Sequence, residues 1–204
     1  MSATFDFNFF VPAQPIQDAD LLRQLPFVAG LKEILMLRQI HALEHATVWI
    51  LSASHSSTGF NSSTYPLDNA FLGGLSTEKG FYLYGDVNLI DLQRAVRTAL
   101  RRLTHGEDDL AIHPRCGTNV SVEMLLTATL GLSMHLLLPR GFIEQIIGFA
   151  IAALAAAQLA PDLGSLTQKY ITTAVPFNLE IENIAATSDE WGRKAHFVAV
   201  QWVQ

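Results

Sequence analysis

The chain has 204 residues, of which half are hydrophobic and 16% are charged, and its formal net charge is −6. This length favours a single domain over residues 1–204, and the charged fraction is below the roughly 25% that is usual in soluble domains. The negative charge argues against a protein that binds nucleic acid by neutralising phosphates. The single cysteine, Cys116, excludes an internal disulfide and a zinc site made of several cysteines.

The first ten residues do not have the features of a cleavable signal peptide. They include Asp6, they lack Lys and Arg, and no small-residue cleavage pattern follows an apolar run. We therefore expect no cleavable signal peptide. If the protein is in a membrane, an internal segment must place it there.

Three elements are predicted in the first half of the chain. Residues 31–52 are predicted to form a long amphipathic helix, whose start is limited by Pro26 and Gly30. Residues 54–69 are rich in Ser, Thr and Asn and predict a loop. Residues 80–85, with the sequence Gly-Phe-Tyr-Leu-Tyr-Gly, predict a short strand between two glycines.

The predicted helix 31–52 carries the pentapeptide HALEH, which begins at His41. His41 and His45 are one helical turn apart, so their rings can share one metal ion, and Glu44 lies beside them. This H-x-x-E-H order is that of the inverted zincins, in which the carboxylate takes a proton from water bound to zinc. The pattern predicts a Zn²⁺ site with Glu44 as general base. The alternative is two packed or exposed histidines beside a surface glutamate.

Residues 89–103 predict a second amphipathic helix. Asn88 and Asp91 resemble a capping box at its start. The helix carries four arginines, which indicate a solvated face more readily than a surface for anionic lipids. These are Arg94, Arg97, Arg101 and Arg102.

The heptapeptide HPRCGTN at residues 113–119 is a second candidate cluster. His113 and Cys116 are three residues apart in a loop restricted by Pro and Gly, and this spacing can chelate one ion. Thr118 or Asn119 can cap the apolar helix that follows, so Cys116 would lie at a helix N-terminus, where the dipole favours a thiolate. The alternative is a buried cysteine and a histidine that caps the loop.

Residues 120–161 form an apolar block that holds three charged residues, Glu123, Arg140 and Glu144. The block divides into two runs, 120–138 and 142–160, and each run reaches about 28 Å as a helix, close to the thickness of a bilayer core. A transmembrane hairpin is therefore predicted, with a buried helical pair in a soluble cytoplasmic protein as the alternative.

After the block, residues 178–184 alternate with a period of two and residues 196–203 are β-rich, which predicts a β-hairpin.

Four segments of the chain resemble an uncharacterised family that is found mainly in cyanobacteria. They are HALEHAT at 41–47, GFYLYGDV at 80–87, HPRCGTN at 113–119 and LGSLTQKYITT at 163–173. The resemblance covers roughly residues 21–184. A second uncharacterised group, of membrane proteins, is similar in pairing an H-x-x-E-H helix with HPRCGT before a transmembrane segment. These resemblances imply that the two clusters meet and that the apolar block is membranous.

We therefore expect an α+β protein, mostly α-helical, with three regions. Residues 18–119 carry the metal site, residues 120–161 form the apolar hairpin, and residues 162–204 form the C-terminal β element. Both ends of the hairpin return to one side, so the metal helix and the β element would share one face of a lipid bilayer.

Three functions are compatible with these residues. The first is a membrane-associated zinc hydrolase, of which a peptidase is the leading analogy, with a protein substrate. Its ligands would be His41 and His45, completed by His113 or Cys116. The second is a non-enzymatic module of a membrane complex, in which all four side chains form a closed His3Cys site. The third is a cysteine hydrolase with Cys116 as nucleophile.

Overall fold

The computed structural model describes residues 18–56 and 71–203, and most of the predicted loop 54–69 lies outside them. The fold is α+β and mostly helical, as predicted. Its elements in chain order are α1 (Asp18–Gln24), α2 (Leu31–Ser56), β1 (Gly73–Thr77), β2 (Gly80–Tyr84), α3 (Leu89–Thr104), a 3-10 turn (Asp108–Ala111), α4 (Gly117–Leu137), α5 (Phe142–Thr167), a π-helical segment (Gln168–Thr172), β3 (Leu179–Ser188) and β4 (Lys194–Trp202).

Helix α2 forms the centre of the part of the molecule outside the apolar hairpin. It contacts α3, the 3-10 turn, β1, β2 and the π-helical segment. Its first turns are buried on one side only, since Leu35 is buried while Ile34 and Leu37 are exposed. From Gln39 to Ser52 almost every side chain is buried or half-buried. The central turns differ from the amphipathic expectation because neighbouring elements cover α2 on several sides.

Helix α3 has Asn88 of the predicted capping box as its N-cap, and it has the predicted solvated face. The side chain of Asn88 accepts a hydrogen bond from the main-chain N–H of Ile90. The apolar stripe, which includes Leu92 and Val96, is fully buried against the core. On the opposite face Arg102 pairs with Glu107, so these arginines serve as a solvated surface.

The four strands form one antiparallel sheet in the order β1-β2-β4-β3. The predicted hairpin is β3–β4, and the predicted aromatic strand is β2. Strand β1 is not predicted from the sequence, because it begins with Gly73 and Gly74, which have low β-propensity. It forms because a two-residue turn lets it pair with β2 along its whole length.

Helices α4 and α5 form the predicted antiparallel hairpin and are long and apolar enough to cross a membrane. Helix α5 continues through Pro161 to Thr167 and into the π-helical segment. Residues 162–172, which the sequence assigns to the C-terminal β element, are therefore helical. A proline usually ends or kinks a helix because it lacks an N–H and its ring meets the preceding turn. Here the packing of α5 against α4 carries the helix past that point.

The contact between these two helices uses small residues. Helix α5 buries a stripe at every fourth position, formed by Gly148, Ala152, Ala156, Ala160 and Gly164. Small residues at this spacing let two helix backbones approach closely. The large apolar side chains of both helices point outward instead, and Leu125, Leu137 and Phe142 are 70–80% exposed.

Candidate metal centre

Three side chains from the two predicted clusters meet at one point. The ligand atoms of His41, His45 and Cys116 all lie within 4.8 Å of one another. The Sγ atom of Cys116 is 3.3 Å from Nε2 of His41, although the two residues are 75 positions apart. His45 and Cys116 are buried and His41 is half-buried. This group has the atom types and spacing of a metal centre.

Main-chain carbonyls orient both imidazole rings. Nδ1 of His41 lies 3.0 Å from the oxygen of Thr172, and Nδ1 of His45 lies 2.6 Å from the oxygen of Ala111. A carbonyl oxygen only accepts hydrogen bonds, so each Nδ1 carries the proton and donates it. The lone pair of each neutral ring is then on Nε2, the nitrogen left for a metal. Such hydrogen bonds to the second nitrogen are the usual support of histidine ligands.

Cys116 is the N-cap of α4, and its Sγ accepts a hydrogen bond from the N–H of Thr118 at 3.4 Å. Burial alone would raise the pKa of this thiol. The hydrogen bond and charge of His45, together with the Thr118 donors, outweigh burial, so the pKa is lowered. A lowered pKa favours the thiolate, which is the form that binds metal ions.

Glu44 lies on the same helix and is 7% exposed. Its carboxylate accepts a hydrogen bond from the hydroxyl of Ser76 on β1. Burial raises the pKa of Glu44, and the hydrogen bond from Ser76 and the charge of His41 oppose that rise. The carboxylate also packs over Gly74, where an added Cβ would overlap Oε1 of Glu44. Strand β1 therefore holds Glu44 through the hydroxyl of Ser76 and makes room for its carboxylate at Gly74.

A cavity of about 460 Å³ joins these groups. One wall is α2, a second is β1, and the third is the loop that leads into α4. Its polar lining consists of His41, Glu44, His45, Ser76, His113, Arg115, Cys116 and Thr118. The cavity lies at the N-terminal end of α4, which is the base of the apolar hairpin.

His113 lies next to the three-atom group but not within it. Its ring centroid is 5.6 Å from that of His45 and 4.9 Å from that of Trp49. Its Nδ1 accepts a hydrogen bond from the N–H of Arg115 at 3.3 Å. In this arrangement His113 packs beside the histidine pair, and its role as a fourth ligand stays a prediction.

A buried glutamine that sequence reasoning missed holds the HPRCGTN loop. Gln168 is fully buried; its Oε1 accepts the N–H of His113 at 2.8 Å, and its Nε2 donates to Oδ1 of Asn119 at 2.8 Å. Asn119 in turn donates to the carbonyl of Pro114 at 2.7 Å. The signal was present in the sequence, because the segment LGSLTQKYITT carries both Gln168 and Thr172.

The π-helical segment is held against α2 by its carbonyl groups. Arg38 donates to the carbonyl of Thr173 at 3.0 Å and to that of Tyr170 at 3.3 Å, and the N–H of Ala174 donates back to the carbonyl of Arg38. Together with the bond from His41 to Thr172, these contacts join the end of α5 to the candidate metal centre. π-Helical turns are frequent at functional sites.

The fold and the site define an α+β protein with a His2Cys group at the base of an apolar helical hairpin. Residues 36–184 match the family model described as Domain of unknown function (DUF6391), and the chain belongs to that family. It is also 48% identical over 200 residues to an uncharacterized protein of Picosynechococcus sp.. The aligned residues cover 97% of this chain and 95% of that protein. No solved structure matches. The predicted membership of an uncharacterised cyanobacterial family is confirmed.

Proposed function

We propose that this chain is a zinc-dependent hydrolase that is anchored in a membrane by α4 and α5. The observation that carries the proposal is the meeting of His41, His45 and Cys116. Their ligand atoms lie within 4.8 Å of one another, and Nε2 of His41 is 3.3 Å from Sγ of Cys116. Three protein ligands are the number found in catalytic zinc sites, which keep a fourth position for water or substrate. A thiolate and two imidazoles are also ligands that suit Zn²⁺.

Glu44 is the proposed general base. Zinc bound by the three ligands would supply a water of lowered pKa and a Lewis acid for a carbonyl oxygen. Glu44 would accept a proton from that water and pass it to the leaving group. Burial raises the pKa of Glu44, and a carboxylate of raised pKa accepts a proton more readily than an ordinary one.

The membrane anchor is supported by what the hairpin exposes. A soluble core helix buries its apolar side chains, whereas Gly131 is the one residue of α4 that is buried. The 21 residues of α4 reach about 30 Å, which matches a bilayer core. The buried stripe of small residues on α5 is the packing typical of helices in lipid. The candidate metal centre would then lie at the membrane surface.

The test is metal-dependent hydrolysis by the purified, detergent-solubilised chain. We expect peptide hydrolysis that a chelator removes and that added Zn²⁺ restores. Glu44→Gln should keep the zinc and abolish the hydrolysis, because the amide cannot accept the proton. A Glu44→Gln variant with unchanged activity would refute the catalytic proposal.

A structural zinc site is the non-enzymatic alternative, and the ligand count separates the two. If His113 turns to complete a His3Cys site, no position is left for water. X-ray absorption of the zinc-loaded protein would then fit four protein ligands, and His113→Ala would lose the metal. The hydrolase proposal expects two nitrogens, one sulfur and one water oxygen.

The contact between Cys116 and His41 also favours a second candidate, a cysteine hydrolase. A thiol of lowered pKa that is 3.3 Å from an imidazole nitrogen resembles an activated nucleophile. This candidate expects hydrolysis without metal and a covalent intermediate on Cys116. Activity that survives a chelator but is lost on alkylation of Cys116 would favour it over the zinc hydrolase.

A further inference from the structure

The cavity runs along β1. Its lining includes five successive residues, Leu72, Gly73, Gly74, Leu75 and Ser76. Successive side chains of a strand point to opposite faces of the sheet. The cavity contacts residues of both orientations, because Gly73 and Gly74 carry no side chain that would hide their main chain from it. Within residues 18–56 and 71–203, β1 is an outer strand that pairs with β2 alone.

The register identifies which main-chain groups point out from that edge. Strands β1 and β2 are joined by the two residues Glu78 and Lys79, and Thr77 pairs with Gly80. Across so short a turn, Thr77 and Gly80 must be a hydrogen-bonded pair. If they were a non-hydrogen-bonded pair, the next hydrogen-bonded pair would be the two adjacent turn residues, which cannot bond to each other in this way. Hydrogen-bonded pairs alternate along an antiparallel ladder. The N–H and C=O of Gly74 and Ser76 therefore point away from β2.

Both of these residues are in contact with Glu44. The hydroxyl of Ser76 donates to its carboxylate, and Gly74 leaves the space that the carboxylate fills. The adjacent Gly73 has nothing within 4 Å of its Cβ position. The residues that carry the outward main-chain groups thus lie beside the proposed general base, and neither Gly73 nor Gly74 adds a side chain to this stretch of the strand.

We infer that this edge binds the substrate as an extended polypeptide, which adds a strand beside β1 through the main-chain groups of Gly74 and Ser76. The inference rests on the hydrolase proposed above and specifies its substrate class. An extended peptide carries N–H and C=O groups at the spacing of a strand and recognises a sheet edge through them. A lipid ester or a sugar lacks that regular alternation of donors and acceptors.

The first experiment measures binding without hydrolysis. Zinc-loaded Glu44→Gln protein is mixed with a library of short peptides of randomised sequence, and residue-resolved hydrogen exchange is recorded. We expect slower exchange at the amides of Gly74 and Ser76. The amides of Gly73 and Leu75, which already bond to β2, should change little. Unchanged exchange at Gly74 and Ser76 in the presence of bound peptide would overturn the inference.

The second experiment compares two variants at one position on kcat/KM for the best peptide of the library. Ser76→Ala removes the hydroxyl that reaches Glu44, whereas Ser76→Pro also removes the outward N–H, a change that outer strands tolerate. We expect Ser76→Pro to be about tenfold less active than Ser76→Ala, the effect of one lost hydrogen bond. Equal values would contradict the inference.

Peptide chemistry supplies a test that leaves the protein unchanged. N-methylation removes single N–H donors from the substrate. Methylation of the alternate residues whose N–H groups face β1 should block cleavage. Methylation of the residues between them, whose N–H groups face away from β1, should be tolerated. Cleavage that is equal for both methylation patterns would overturn the edge-strand inference and leave the hydrolase intact. A chain that cleaves no peptide but shows the protection at Gly74 and Ser76 would refute the hydrolase and keep the edge site.

Discussion

Nδ1 of His41 lies 3.0 Å from the carbonyl oxygen of Thr172, a residue 131 positions further along the chain. One partner is on the central helix α2, and the other ends the π-helical segment that continues α5. The bond sets the tautomer of His41 and thereby the nitrogen that it offers to a metal. The position of the apolar hairpin is therefore coupled to the geometry of the candidate metal centre.

Removal of a proposed ligand is expected to remove the metal. His41→Ala and Cys116→Ser should each lower the zinc content from about one per chain to a small fraction, because two ligands hold zinc poorly. His105→Ala is the matched control, since His105 caps the end of α3 and bonds to the carbonyl of Arg101. Elemental analysis of the purified variants measures the effect. Full zinc occupancy in Cys116→Ser would remove Cys116 from the ligand set.

The buried glutamine is expected to be essential for the loop. Gln168→Met keeps the approximate volume but leaves the N–H of His113 and the amide of Asn119 without their buried partner. The expected loss is about 1–3 kcal/mol of unfolding free energy, together with weaker zinc binding. Gln201→Met, at an exposed position of β4, is the control. Denaturant unfolding and a zinc titration measure the two effects, and an unchanged midpoint would contradict the proposed role of Gln168.

Two neighbouring glycines of β1 are expected to respond differently to the same substitution. Gly74→Ala would put a Cβ into the carboxylate of Glu44 and should lower the melting temperature, whereas Gly73→Ala adds a methyl group in open space. Overpacking of this kind costs about 1–3 kcal/mol. Thermal unfolding of the two variants makes the comparison. Equal melting temperatures would mean that Glu44 moves aside without cost.

The contact face of α5 is expected to tolerate no larger residue. Ala156 is fully buried in the small-residue stripe, and Ala157 is exposed on the adjacent position. Ala156→Leu should separate α4 from α5 and destabilise the purified protein by about 1–3 kcal/mol. Ala157→Leu should be nearly neutral. Thermal aggregation measured for both variants separates a packing effect from a general effect of added bulk.

A carboxylate in the turn between β3 and β4 is expected to make stability depend on pH. Burial alone would raise the pKa of Asp189, but its hydrogen bonds to Arg193, Tyr84 and the N–H of Trp191 hold that pKa below the usual value. A lowered folded-state pKa contributes stability above the unfolded pKa, and this contribution is lost as pH falls through the folded pKa.

The measurement is unfolding by denaturant as a function of pH. Asp189→Asn should be less stable than the natural chain at neutral pH. The difference should begin to shrink below about pH 4, where the unfolded chain takes up the proton, and it should be lost as the pH falls through the lower folded-state pKa. Glu182→Gln, at an exposed position of β3, is the control for loss of one charge. A difference that is constant with pH would assign the effect to packing instead of ionisation.

Local periodicity explains most of the fold that was predicted. The i, i+4 spacing of His41 and His45, the two apolar runs and the alternation of residues 178–184 each follow from the geometry of one helix or strand. Strand β1 was missed because its stability comes from pairing with β2 and not from its own residues. The end of α5 was misplaced because the contact with α4 outweighs the local effect of Pro161.

By itself, the sequence determined the two clusters, the apolar hairpin and the family to which the chain belongs. The tertiary structure alone decided that Cys116 joins the histidine pair while His113 packs beside it. It also decided that Thr172 orients His41, that Gln168 holds the loop, and that β1 closes over Glu44. The physical reason is distance along the chain: these partners are 32 to 131 residues apart. Contacts between residues so far apart follow no helical or strand periodicity, so a sequence pattern does not predict them.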